Sequence, residues 1–419
     1  MLNLALVALL GLQLFVLIIF STEKHLRLPG FLQHAIERHL ADEGLSVQFR
    51  DLEVTLSGNL LLQGPQIFLA GASEPVAEAD YLDIAPDWFA LAWNHRLTFS
   101  EARVDGASFY CPAEVSPSGE REPIITQLDV SLSSEGNLWW NLPYLHAHFF
   151  NVGISGNGTF LIPPLKAAVT PPPSVATLYR QWAQKLVGLQ PDFVAVKNPL
   201  VQFDIEGAEP GVDKLRVFAM AEGAQSPRAA GLGLGSAWAR TAIVWDGDVL
   251  RAEPVEAWIE SIRYMQTAND RTEHEIFSSG PVWARAQLAD GSRGLLDGAP
   301  ARLLLATSAA KIYDFSCDTI SANTDLRAWP DLPLAGVVTH GANWLKFTAQ
   351  TNVDQRTGQL DFSTRLDPAV VLAATHQTLP EELSTLKFDQ APQLEGHLEF
   401  APNYQPKYLD FTLHAGGAH

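Results

Sequence analysis

Leu45-Ser46-Val47-Gln48-Phe49-Arg50-Asp51-Leu52-Glu53-Val54-Thr55-Leu56 puts an apolar side chain at every second position, with one change of phase between Phe49 and Leu52. Alternation at period two marks a strand with one buried face, and a single slip is what a bulge produces. The pattern returns in Leu97 and Phe99, then Ala102 and Val104, and again in Ala107, Phe109 and Cys111, with Asp105-Gly106 as turn chemistry between them. Residues 45–112 therefore predict short strands in a sheet with one apolar face. They carry no pattern that predicts a reaction.

The totals narrow the classes. A chain of 419 residues with 47% hydrophobic content has enough apolar surface for a sizeable core, so it is not a disordered protein. Lys plus Arg number 28 against 47 Asp plus Glu, and the net charge of -19 excludes a nucleic-acid partner, because phosphate binding needs the opposite sign. The two cysteines, Cys111 and Cys317, have no metal-ligand spacing. They are either one disulfide or two buried thiols.

From Leu2 to Phe20 only Asn3, Gly11 and Gln13 interrupt an apolar run, which as a helix reaches about 28 Å, close to one hydrocarbon core. No basic segment precedes it and no small-x-small site follows Phe20, which favours an uncleaved anchor over a signal peptide. Leu4, Leu10, Leu14, Phe15, Ile18 and Phe20 are its membrane-facing candidates. The flanking charges, Glu23, Lys24 and Arg27, do not fix the side on which the body lies.

After Pro29-Gly30, Phe31 to Asp42 reads as an amphipathic helix that Gly44 ends. An aromatic patch, Trp88, Phe89, Leu91 and Trp93, reads as a turn of helix, and Pro112 to Pro123 as a surface loop. Strands resume at Ile125, Leu128, Val130 and Leu132, then over Leu145 to Ile154 and Gly158 to Ile162. Pro163-Pro164 to Pro171-Pro172-Pro173 breaks the sheet, and Ser174 caps a second helix with Val175, Leu178, Trp182, Leu186 and Leu189 on one face. Val201, Phe203 and Ile205 alternate next, and Trp245-Asp246-Gly247-Asp248 is a hairpin signal inside Ala242 to Arg251. Further strands are expected at Leu215–Met220, Ala257–Met265, Val282–Leu288, Ala301–Thr307, Ala335–Val338, Trp344–Thr351 and Gln359–Leu366. Asp367-Pro368 opens a short helix. The fold class is mostly β: an N-terminal transmembrane helix, then an extended antiparallel sheet with a few short amphipathic helices.

Each pattern that resembles a reactive site has a plainer reading. His146 and His148 share a strand face, but no thiolate or carboxylate cluster completes a metal site. His34 and His39 are five apart and share a helix face poorly. Gly231-Leu232-Gly233-Leu234-Gly235 has neither the spacing nor the following lysine of a phosphate loop and reads as a flexible loop. Asn157-Gly158-Thr159 matches a glycosylation triplet. Trp139-Trp140 with Tyr144, Phe149 and Phe150 suggests either a sugar-stacking platform or an aromatic lining, and neighbours in a strand face opposite sides. No catalytic triad, nucleophile elbow or carboxylate pair stands out, so neither an enzyme nor a cofactor is expected.

An N-terminal span, a short helix, then Gly44-Leu45-Ser46-Val47, Leu60-Leu61-Leu62-Gln63-Gly64, Ala79-Asp80-Tyr81-Leu82 and Phe99 to Pro112 together resemble the AsmA-like family of bacterial envelope proteins. That family is related to chorein-type bridge-like lipid transfer proteins. Leu379-Pro380, Leu386-Lys387-Phe388 and Pro392-Gln393-Leu394-Glu395-Gly396 look like a linker between its strand blocks. The resemblance implies an anchor in the bacterial inner membrane with the body in the periplasm, and a twisted, U-shaped sheet whose apolar faces line a trough. It also implies a chain that usually continues further.

On that basis the chain divides into an anchor over 1–22, a helix and sheet region over 23–162, and a Pro-rich linker and helix over 163–192. A second β-rich region covers 193–366, and short helices with the start of a further strand block cover 367–419. The lipid-groove candidates are Val47, Phe49, Leu52, Val54, Leu56, Leu97, Phe99, Val104, Phe109, Val201, Phe203 and Ile205. The expected function is binding or conduction of phospholipid between membranes in support of outer-membrane biogenesis, with the inner membrane, and envelope proteins or a separate C-terminal partner, as contacts. The alternatives are a non-enzymatic scaffold or assembly factor for outer-membrane proteins and, behind it, an envelope enzyme acting on glycan.

Overall fold

The computed structural model describes residues 26–27, 38, 40–41, 43–55, 57–87, 98–136, 138–161, 174–188, 195–208, 212–225, 231–246, 249–267, 273–288, 301–312, 315–328, 330–366 and 392–416. The chain is mostly β, with large antiparallel sheets. It forms two compact units, one of Met1–Val194 with Gln202–Gly211, the other of Ala195–Val201 with Val212–His419. The anchor candidates Leu4, Leu10, Leu14, Phe15, Ile18 and Phe20 lie outside the described residues, as do Leu56, Leu97, the Trp88 to Trp93 patch and the helix expected from Asp367. Of the first amphipathic helix only Arg38, Leu40 and Ala41 are described, all helical. Gly44 follows at φ +74°, and its N–H bonds the Ala41 carbonyl at 3.0 Å.

The first unit holds β1 (Leu26–Arg27), β2 (Leu45–Gln48), β3 (Asp51–Val54), β4 (Leu60–Gln63), β5 (Gln66–Leu69), β6 (Ala77–Glu78), β7 (Tyr81–Pro86), β8 (Phe99–Cys111), β9 (Glu122–Gly136), β10 (Trp139–Phe149), β11 (Val152–Leu161) and helix α1 (Val175–Val187). β2 pairs with β5 and β3 with β4 in one continuous register, as do β5 with β6 and β4 with β7. β6 and β7 then share β8, which pairs with β9, followed by β10 and β11. Each pair of short strands is thus one long strand creased in the middle.

The crease carries a phase slip. Apolar positions run 45, 47, 49 and then 52, 54; 60, 62 and then 67, 69; 102, 104 and then 107, 109. One added residue per strand keeps the apolar side chains on one face through the bend. The phase change between Phe49 and Leu52 is the first member of this line, but it is not the expected bulge: the register runs unbroken from Gln48 opposite Gln66 to Asp51 opposite Gln63, two residues against two. Backbone bonds stitch it together: Arg50 N–H to Gln63 O at 2.9 Å, Gly64 N–H to Asp80 O at 2.8 Å, and Asp80 N–H to Asp105 O at 3.1 Å. At Gly106 a side chain takes over, Asp129 Oδ1 accepting its N–H at 2.7 Å. Gly106 has φ +65°, and a Cβ there would lie 2.4 Å from Asp80 Oδ2.

α1 closes one end of this unit. Ser174 caps it by accepting the Thr177 N–H, as expected. The buried face differs from the expected one. Ala176, Ala183 and Val187 are buried, with Tyr179 and Leu186 packed beside them, whereas Val175, Leu178 and Trp182 are exposed. Small residues win because the helix lies close on Cys111, Ile124, Leu69 and Val76, where a large side chain has no room. Tyr179 fixes the fit by donating to both the Val76 and Tyr110 carbonyls, at 2.9 and 2.7 Å.

The chain continues through β12 (Val196–Lys197), β13 (Leu200–Ala208), β14 (Val212–Ala221), β15 (Gly223–Gln225), β16 (Leu232–Leu234), β17 (Ala237–Asp246), β18 (Val249–Ala252), β19 (Val255–Ile259), β20 (Ile262–Thr267), β21 (Glu273–Ser279), β22 (Val282–Leu288) and β23 (Ala301–Thr307). It ends with β24 (Ala310–Ile312), β25 (Phe315–Cys317), β26 (Thr319–Asp325), β27 (Asp331–His340), β28 (Asn343–Asn352), β29 (Thr357–Thr364), β30 (Gln393–Ala401) and β31 (Gln405–His414). From Gln202 onward β13 belongs to the first unit, where it lies against β11; a Cβ on Gly158 would fall 2.1 Å from the Ile205 carbonyl oxygen.

In the second unit β14, β17, β19, β22, β23, β26, β27, β28, β29, β30 and β31 pair in that order, all antiparallel. A smaller sheet runs β12, β15, β16, β20, β21, β24, β25. Again the strands as far as β26 are creased, at Glu222, Gly235-Ser236, Glu260-Ser261, Gly280-Pro281, Ser308-Ala309 and Asp318, and the apolar phase slips by one there, whereas β27 to β31 run unbroken. Phe277, Ala310, Ile312, Phe315 and Cys317 of the smaller sheet pack with Ile320, Val338, Leu345 and Phe347 of the larger one.

Three expectations need correction. Leu145 to Ile154 is not one strand but the end of β10 and start of β11, turning at Phe150-Asn151, where Phe150 has φ +52° and its N–H reaches the Ile124 carbonyl at 3.0 Å. Ala257 to Met265 is cut in two by the crease. Gly231 to Gly235 is not a loop: Leu232–Leu234 is β16, paired on both sides. The region expected to open a further strand block supplies β30 and β31, which extend the same sheet.

Gly106→Ala and Gly71→Ala are an informative pair, since both residues have positive φ but only Gly106 has a neighbour in contact with the added methyl. Each substitution is expected to cost about 1–2 kcal/mol for the left-handed conformation. Gly106→Ala should cost roughly 1 kcal/mol more through displacement of Asp80, read as the difference in denaturation midpoints. Tyr179→Phe should lose about 1 kcal/mol, because the one hydroxyl proton shared between the Val76 and Tyr110 carbonyls is removed, while Val76 keeps the Tyr110 N–H at 2.8 Å.

Candidate functional site

The largest ordered feature is one face of the second unit's main sheet. Register places Ala219, Ala239, Ala257, Ala284, Leu305, Ala322, Gly336, Phe347, Phe362, Gly396 and Phe411 in a single row across β14 to β31. A parallel row holds Ala237, Ile259, Val282, Thr307, Ile320, Val338, Leu345, Thr364, Leu394 and Leu413. On the other side of the first row come Ala286, Leu303, Thr324, Leu334, Ala349, Leu360, Leu398 and Leu409. None of these side chains is charged. Many are only half-buried, including Ala239, Ala284, Leu303, Leu305, Leu360 and Leu409. At about 4.8 Å between strands the face extends for about 48 Å.

The opposite face of the same sheet is polar towards β31, with Ser363, Asp361, Glu395, His397 and Asp410, but aromatic towards β14. Met220, Trp238, Trp258 and Trp283 lie in one row there, continuing into Ala306, Ser321, Val337 and Lys346. Trp238 meets Trp283 edge-on at 5.8 Å. Beside this row Arg240 bonds Glu256 at 2.8 Å, and that contact, with Arg285 nearby, holds the Glu256 carboxyl below its ordinary range. A shallow, open groove of about 720 Å³ lies on this face between Trp283, Arg285 and Leu304 on one side and Val337 and Lys346 on the other.

In the first unit the groove candidates fall into two groups on one face. Leu52 and Val104 share a row with Leu62, Leu82 and Val130, and Val54 lies in the next row with Leu60, Ile84 and Ala102. Phe49 packs on Leu52, Leu60 and Leu62. Beyond the crease Val47 aligns with Ile67, Ala77 and Phe109, towards the end that α1 covers. Phe99 is exposed and meets Trp140 edge-on at 5.4 Å. Val201, Phe203 and Ile205 are half-buried in β13, with the Phe203 ring over Gly156. Leu56 and Leu97 lie outside the described residues. The rows in the second unit, more extensive than any of these, were missed because alanine, glycine and threonine give little hydropathy contrast.

The aromatic platform does not form. Trp139 lies over Gly207, Trp140 meets Phe99, and Phe149 and Phe150 pack towards α1. His146 stacks on Tyr144 at 6.1 Å and, like His148, is exposed. Among the described residues no group of three or more His, Cys, Asp or Glu is placed to hold a metal ion, and no helix is long and apolar enough to cross a membrane. The chain matches no protein-family model, no curated protein and no solved structure.

Of the two readings of the cysteines, the thiol one holds, since Cys111 and Cys317 are both free and buried. Burial pushes each thiol from 9.0 up to about 11, with Glu122 adding to the effect at Cys111 and Asp318 at Cys317. At pH 8 both are expected to resist a thiol reagent until the chain is denatured. The raised value favours the neutral thiol in the fold, so this contribution to stability is complete below pH 9 and disappears as pH rises towards 11. Denaturation midpoints across that window check it.

Proposed function

We propose that the chain is a membrane-anchored periplasmic protein of AsmA type that holds phospholipid acyl chains on its creased sheets and passes them between membranes. The observation that carries this reading is the uncharged face of the second unit, continuous across successive strands and only partly buried over much of its length, Val338, Phe362, Leu394 and Leu398 being the buried exceptions. A sheet face that only completed a core would be buried throughout. At one edge of this face Phe277, Ile312 and Phe315 of the smaller sheet pack on Val338, so the trough proposed here would be closed there and open along the rest of the face.

Such a face lowers the free energy of an acyl chain by about 0.8 kcal/mol per methylene relative to water. A bilayer interior does the same, so a tail moves from membrane to trough at little net cost while its headgroup stays solvated. Transfer by this means needs no bond-breaking step in the chain. Support for outer-membrane biogenesis follows as the consequence of delivery to the second membrane.

The experiment is lipid extraction and mass spectrometry on the full chain, purified in the same detergent with and without Leu303→Asp, Leu360→Asp and Leu409→Asp. Wild type is expected to retain several phospholipids per chain, and the triple variant at least fivefold fewer with its far-ultraviolet circular dichroism unchanged. Equal lipid in both folded proteins sinks the reading.

A further inference from the structure

The groove on the opposite face of the second unit is not explained by a lipid trough. Its shape comes from side-chain size in register: Ala306, Ser321 and Ala335 form a low floor between Trp283 and Leu304 on one wall and Lys346 on the other. Trp283 is 56% exposed and Leu304 48%, a large apolar surface to leave facing water on the polar side of a sheet. The groove, of about 720 Å³ and open along its length, has room for one alkyl chain laid along its wall.

The charges along its rim narrow the ligand. In a chain of net charge -19, this groove has two cations, Arg285 and Lys346, on opposite walls. Among the described residues its one lining carboxylate is Glu256, held by Arg240 at 2.8 Å. Lys346 Nζ lies 5.0 Å from the Trp344 ring, which leaves its donors open. The two cations stand four strand spacings apart, about 19 Å.

We infer that this groove binds a single-chain anionic amphiphile, its alkyl chain on the Trp283 and Leu304 wall and its anionic head on a rim cation. A carboxylate head would mean a free fatty acid, and a phosphate head a lysophospholipid. The inference does not depend on the phospholipid reading of the other face.

The test uses the full chain in amphipol, photolabelled with a diazirine-bearing dodecanoate, with the labelled peptides mapped by mass spectrometry. Label is expected on peptides carrying Trp283, Leu304 and Val337. Laurate or dodecyl phosphate should compete, the better of the two identifying the head, and dodecanol at least tenfold less well. Ala306→Trp should abolish the label by filling the floor, and Arg285→Glu with Lys346→Glu should reduce it about tenfold. The Leu303, Leu360 and Leu409 triple variant should label like wild type, and Ala306→Trp should keep its phospholipid, which separates this site from the trough. Absence of label from the groove peptides overturns the inference. So does equal competition by dodecyltrimethylammonium, or labelling that survives both Ala306→Trp and the charge reversals. If Ala306→Trp fails to fold, the exposed charge reversals decide alone.

Discussion

A strand turns its side chains to alternate faces, so a long strand can bend sharply without exchanging its inside for its outside only by adding a residue at the bend. Both units use this device on successive strands, in line, up to β26 in the second, so that the insertions form a crease crossing that part of the sheet instead of isolated defects, while β27 to β31 run unbroken. Remove one insertion and the apolar half of that strand beyond the crease would face water. The glycines and short polar side chains at the crease, Gly64, Asp80, Gly106, Gly235 and Ser261 among them, are there because the bend leaves little room and needs backbone donors satisfied out of register.

The face protected in this way is built differently in its two parts. In the first unit it is leucine, valine and isoleucine, and α1 seals one end with alanines and a tyrosine. In the second it begins with a run of alanines and ends with phenylalanine. Small residues keep the sheet surface low and wide; larger ones narrow it. The same register that sets one face apolar stacks Trp238, Trp258 and Trp283 on the other, so the second unit presents two different surfaces from one set of strands.

The strands with strong contrast were legible in the sequence: Val47 to Val54, Phe99 to Cys111, Trp344 to Thr351 and the hairpin that pairs Trp245 and Asp246 with Leu250 and Val249. So was the Ser174 cap. The face of α1 was misread because hydropathy ranks Leu178 and Trp182 above Ala176 and Ala183, while close packing prefers the smaller pair. Thr319–Asp325 went unseen, since Ile320, Ala322 and Thr324 differ little in polarity from the residues between them. Pairing across the crease, which decides which rows exist at all, is a property of register and has no local signature.

Counted with each creased pair as one long strand, most pairings in these sheets join strands that follow one another along the chain. Such a meander is a one-dimensional array. It can form progressively from one end, each new hairpin docking on a completed edge, with little loop closure to set up in advance. It also lengthens without redesign: two more strands extend the apolar face by about 10 Å and leave existing contacts intact. The reach of the sheet is therefore set by strand number, a quantity that evolution can change by duplication rather than by repacking a core.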